Sequence, residues 1–126
     1  MYSVENNIIT VKLLNKDGSV YSYYTLSFDK HYKPIIPSYF EIYPKDCYYE
    51  DMIISSLLNY THRNPLKITR VDMVLNEFKE VYNINYTYKY NAKGLPTEIF
   101  KAKEMKNYLQ GGSSGYSKQL IKIDYQ

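Results

Sequence analysis

Nucleophilic chemistry in this chain would start from Cys47, its single cysteine, or from a serine, with His31 or His62 as the base, since these are the only histidines. Such a pair must meet within hydrogen-bond reach, and no flanking signature accompanies Cys47. The histidines stand three residues before Pro34 and Pro65, which marks them as turn residues sharing one structural role. Asp46, Glu50 and Asp51 gather oxygen ligands suited to a hard cation. Their spacing lacks the glycine and closing glutamate of an EF-hand loop, so a solvated acidic loop is the expectation. Gly111-Gly112-Ser113-Ser114-Gly115 carries no lysine in P-loop spacing and reads as a flexible loop. No carboxylate pair stands out for glycoside hydrolysis. Asn59-Tyr60-Thr61 and Asn85-Tyr86-Thr87 have the form of N-glycosylation acceptors, the second inside an expected strand. The reading is a protein without catalytic residues, metal or cofactor.

What remains is aromatic. The chain holds 17 Tyr against 4 Phe and no Trp, so tyrosine does the work usually left to phenylalanine. Its ring fits a pleated, half-buried surface while its hydroxyl reaches water, which suits a thin sheet or small barrel. Sugars also present apolar faces that stack on such rings. The tyrosines outside the expected core, Tyr39, Tyr43, Tyr48, Tyr49 and Tyr60, are the candidate ligand-stacking residues. The net charge of +3 is spread among acids with no basic stripe, which argues against nucleic acid, whose phosphates call for clustered cations.

Period-2 patterning supplies the elements that would position these groups. Ile8 to Leu14 reads as a strand with Ile9, Val11 and Leu13 on one face. Asp17-Gly18 supplies the turn, and Val20 to Phe28 returns with Ser22, Tyr24, Leu26 and Phe28 aligned. Ile35 to Tyr43 is a candidate edge strand, limited by Pro34, Pro37 and Pro44, and one helical turn fits around Met52 to Leu58. Leu66 to Leu75 matches both strand and helix periods; strand to residue 75 followed by loop is the reading adopted. Ile84 to Asn91 places Ile84, Tyr86, Tyr88 and Tyr90 on one face, Thr97 to Glu104 returns antiparallel, and Tyr116 to Tyr125 closes the chain. The expected fold is all-β: an antiparallel meander of repeated hairpins in a strongly twisted sheet or small barrel, with at most one short helix. At 126 residues this is a single domain, residues 1–126.

Pro34, Pro65 and Pro96 fall 31 residues apart, and the chain echoes itself around them. Tyr24-Thr25-Leu26-Ser27-Phe28-Asp29 before Pro34 matches Tyr86-Thr87-Tyr88-Lys89-Tyr90-Asn91 before Pro96, while Ser55 to Tyr60 is a weaker middle copy. The implied unit is strand, polar turn, proline, strand, because proline fixes its own φ and keeps the preceding residue extended.

The stretch Tyr88-Lys89-Tyr90-Asn91-Ala92-Lys93-Gly94-Leu95-Pro96-Thr97-Glu98-Ile99 resembles the hairpins of tyrosine–aspartate (YD) repeats. Asn64-Pro65-Leu66-Lys67-Ile68 and Ile36-Pro37-Ser38-Tyr39-Phe40 are similar to phrases in exported Bacteroidetes lipoproteins of a domain family of unknown function with a porin-like antiparallel β fold. The likeness spans about residues 20 to 125. It implies an all-β sheet or barrel, a location in the periplasm or on the outer-membrane surface, and membrane attachment only through a lipid anchor that this chain does not contain. It carries over no catalytic residue. The opening residues, Met-Tyr-Ser-Val-Glu-Asn-Asn, lack the basic and apolar regions of a signal peptide, so either the protein is cytoplasmic or Met1 was added to a mature segment. The functional expectation is a non-enzymatic extracytoplasmic domain that binds or spaces a protein or glycan at the cell envelope. A carbohydrate-binding module and, behind it, a small hydrolase around Cys47, His31 and His62 are the alternatives.

Overall fold

The computed structural model describes residues 2–5, 7–32, 63–106, 108 and 114–125. Seven strands form one antiparallel sheet in chain order: β1 (Tyr2–Glu5), β2 (Ile8–Leu14), β3 (Val20–Tyr32), β4 (Arg63–Val74), β5 (Glu77–Tyr90), β6 (Pro96–Met105) and β7 (Gly115–Lys122). Every strand pairs with its sequence neighbours, and no pairing joins β1 to β7, so the sheet is an open meander. The described residues contain no helix.

Alternation in the sequence becomes two unlike faces. On the inner face the register places Ile9, Leu26, Ile68 and Ile84 in one row across β2 to β5, with Leu26, Ile68 and Ile84 fully buried. Val11, Tyr24, Arg70 and Tyr82 form the next row, and Tyr88, Ile99 and Ile121 another. Burying each of these aliphatic side chains contributes roughly 1.5–3 kcal/mol, which makes this face the source of stability.

Two glycines make two matching turns. In the β2–β3 turn the Asn15 amide donates to the Ser19 carbonyl and the Gly18 amide to the Asn15 carbonyl; Asn91, Gly94 and Leu95 repeat the pattern between β5 and β6. Gly18 and Gly94 sit at φ +88° and +79°, where a side chain is unfavourable. Asx contacts reinforce both: Asp17 Oδ1 accepts from the Ser19 amide, and Asn91 Oδ1 from the Lys93 and Leu95 amides.

The structure departs from the sequence reading around residues 75–83. A two-residue turn, Leu75-Asn76, joins β4 directly to β5, which begins at Glu77 rather than near Ile84. Both turn residues have positive φ, +51° and +66°, the conformation of a type I′ hairpin turn. β1 is a strand that the sequence reading did not place, and β7 ends at Lys122 rather than Tyr125. The candidate strand and helical turn within residues 35–60, Pro34 with the residues that follow it, the Ser55–Tyr60 copy of the repeat, and the glycine run 111–113 lie outside the described residues, while Tyr24 to Asp29 of the first copy fall within β3.

Register shifts bend the ladder at four strand pairs. Between β3 and β4 and between β5 and β6 the shift falls where a proline sits opposite an aromatic, Pro65 opposite Phe28 and Pro96 opposite Tyr90. Proline cannot donate to the ladder, and a bulge is where that loss is accommodated. β1–β2 and β6–β7 pair without a shift.

Candidate binding surface

The inner-face tyrosines are occupied by the fold itself. Arg70 lies 5.4 Å above the Tyr24 ring, Lys103 5.0 Å above Tyr82 and Lys101 6.0 Å from Tyr86. These contacts let cations share an apolar face with the rings, because the π cloud replaces part of the water lost. Arg70 also binds Asp72 at 2.9 Å, and Asp72 accepts the hydroxyl of buried Ser22 at 2.6 Å. Further along, Tyr86, Tyr88 and Tyr90 stack with centroids 6.4 and 5.7 Å apart. The Tyr90 hydroxyl donates to Asp29 and accepts from Asn64, while the Tyr88 hydroxyl donates to the Pro65 carbonyl. Burial pushes all three phenols above their ordinary pKa, with Asp29 adding to the effect at Tyr88 and Tyr90. They are neutral packing groups, and Tyr88 and Tyr90 also hydrogen-bond.

A second polar knot secures the exit of β6. Glu80 binds Lys106 at 2.8 Å and Asn83 at 3.1 Å. The shift between β4 and β5 leaves Val81 as an extra residue, and its carbonyl accepts the Lys106 amide. The Lys106 ammonium holds the Glu80 carboxyl below its usual range, and Glu80 raises Lys106 in return. A charged pair of this kind offers neither a neutral amine nucleophile nor a proton-carrying carboxylic acid. It anchors the chain.

None of the candidates that the sequence singles out can be placed at a common site. Tyr39, Tyr43, Tyr48, Tyr49 and Tyr60 lie outside the described residues, as do Cys47, His62, Asp46, Glu50 and Asp51. His31 falls within β3. Among the described residues no group of three His, Cys, Asp or Glu side chains could hold a metal ion. No helix among them is long and apolar enough to cross a membrane.

The surface that stands out is a different one. The β2–β3 and β4–β5 turns share one end of the sheet, and exposed apolar side chains gather there: Tyr21, Met73, Leu75 and Phe78. Met73 and Phe78 are cross-strand partners, and the Phe78 ring meets Tyr23 edge-on at 5.6 Å. Leu75 forms the tip and is 81% exposed. A leucine at φ +51° occupies a position that favours Asn or Gly, at a cost of about 1–2 kcal/mol. The only sequence signal was the apolar cluster Val71, Val74, Leu75 and Phe78, which also matches a helix period. No family model, curated protein or solved structure matches this chain.

Proposed function

We propose that the protein is a non-enzymatic binding domain of a bacterial cell-envelope protein, and that it engages another macromolecule through the apolar end of its sheet. The observation that carries this reading is Leu75, a large apolar side chain held out to solvent on a turn that disfavours it. Apolar surface of this kind, contiguous with Met73 and Phe78 and bordered by Lys79 and Glu77, marks interaction sites on soluble proteins. The tyrosines support the same assignment from the other side. Those on the inner face are engaged by cations, carbonyls and one another, so they serve the scaffold that presents this end. The extracytoplasmic setting rests on the resemblance to exported lipoproteins.

The test is binding of the labelled protein to envelopes of the bacterium that encodes it. The double variant Leu75→Asn with Phe78→Thr should keep the native circular dichroism and lose at least roughly tenfold in binding, in line with removal of two apolar anchors. Equal binding by the variant and the original would reject the apolar end. Recovery of the untagged protein from the cytosol alone would reject the envelope setting.

A further inference from the structure

The sheet's outer edge carries a separate surface. β7 is hydrogen-bonded to β6 in an unbroken register from Glu98↔Lys122 to Met105↔Gly115, and no described strand pairs with its other side. Seven of its eight residues are exposed, and it contains neither proline nor bulge, two devices that commonly blunt an edge. The edge is therefore long, regular and able to accept another strand.

Cross-strand rows on the outer face specify what that strand must look like. One row runs Lys89, Glu98, Lys122, and its first two members pair at 3.1 Å. The next runs Thr87, Phe100, Leu120, where Phe100 and Leu120 are both exposed and Leu120 is 53% so. A third runs Asn85, Ala102, Lys118. Neither Lys118 nor Lys122 forms an ion pair among the described residues. Continuing each row by one position calls for a carboxylate beside Lys122, an apolar side chain beside Leu120 and a carboxylate beside Lys118, since directly opposed side chains pair by charge and shape. The same lysines disfavour a second copy paired about Leu120, because that two-fold would set each Lys118 against the other chain's Lys122.

We propose that β7 is a strand-acceptor edge whose occupant is an extended acidic segment of another protein. The segment pairs antiparallel with residues 118–122 and alternates acid, any residue, apolar, any residue, acid. Main-chain hydrogen bonds supply affinity and the three outer-face positions supply selectivity.

The probe is the synthetic peptide Thr-Glu-Val-Ile-Thr-Glu-Thr, titrated onto the full chain and followed by amide hydrogen exchange. Slowed exchange within residues 117–122 is expected, together with weaker binding as salt rises. A peptide of the same composition in shuffled order should bind roughly tenfold less well. The double variant Lys118→Glu with Lys122→Glu should invert the preference toward a peptide bearing Lys in place of both Glu. Equal binding of the shuffled peptide, no protection of β7, salt-independent affinity, or an unchanged preference in the variant would each overturn the proposal; so would a β7-mediated dimer. The salt and shuffling measurements need no variant. Leu75→Asn with Phe78→Thr should leave peptide binding intact, which separates this edge from the apolar end.

Discussion

Tyr88 and Tyr125 make the same bond at two places in the sheet. Each donates its hydroxyl to the carbonyl of a proline near the start of a strand: Tyr88 to Pro65 at 2.5 Å and Tyr125 to Pro96 at 2.7 Å. Both prolines are fully buried, and both lie opposite an aromatic at a register shift. Each proline has no amide to give the ladder, and the tyrosine hydroxyl holds its carbonyl in place.

This geometry predicts unequal costs for two conservative changes. Tyr88→Phe leaves a buried carbonyl without its donor and should lower unfolding stability by about 1–2 kcal/mol. Tyr125 is partly exposed, so water can replace its hydroxyl and Tyr125→Phe should cost less than half as much. Urea midpoints at constant m-value measure both. Equal losses would mean that the two bonds are not distinguished by burial.

The phenols of β5 make the sheet sensitive to alkali. Tyr86, Tyr88 and Tyr90 have folded pKa values raised above 10.0, chiefly by burial. Above pH 10 the unfolded chain releases protons that the folded chain still holds, so stability is undiminished below that pH and falls as pH rises beyond it. Tyr88→Phe should shallow this slope. Tyrosinate absorbance should show these three ionising together with loss of the native sheet, followed in the same titration by circular dichroism. Ionisation of all three in an intact sheet would contradict their burial.

Acid acts at a different place. Lys106 holds the folded Glu80 pKa below 4.5, with help from Asn83 and against partial burial. The contribution is therefore present above pH 4.5 and is lost as pH falls through the lower folded value. Both side chains are about one-third exposed, so solvent screening keeps the effect small. Glu80→Gln should remove this part of the acid slope and speed exchange of the Lys106 amide, whose carbonyl partner is the adjacent Val81.

The same residues explain what the sequence could and could not disclose. The β2–β3 and β5–β6 hairpins were legible because Gly18 and Gly94 stand between clean alternations, and Tyr24, Leu26 and Phe28 face inward as that alternation requires. The β4–β5 hairpin was not, because Leu75-Asn76 makes a type I′ turn without glycine, and the extra residue Val81 breaks the period of two. Four residues of β1 are too few to show a period at all. The binding surfaces depend on what lies across a strand pair. That Phe78 stands beside Met73, or Lys122 beside Glu98, is a matter of register, which composition and spacing do not specify.

Asp72 joins groups that the inner face could not otherwise hold. Its Oδ1 accepts from both Ser22 and Arg70, and the Arg70 side chain is only 12% exposed while stacking on fully buried Tyr24. Removing the carboxylate strands a guanidinium and a hydroxyl in a poorly solvated place, and a desolvated cation costs more than the bond it loses. Asp72→Ala should therefore destabilise by about 2–3 kcal/mol, more than any other single change proposed for this sheet. Combining it with Arg70→Met should recover part of that loss, since the double variant no longer leaves a partly buried cation without its carboxylate. A double-mutant cycle in urea measures the coupling. If the two losses simply add, Asp72 and Arg70 are not coupled and Asp72 behaves as a surface carboxylate.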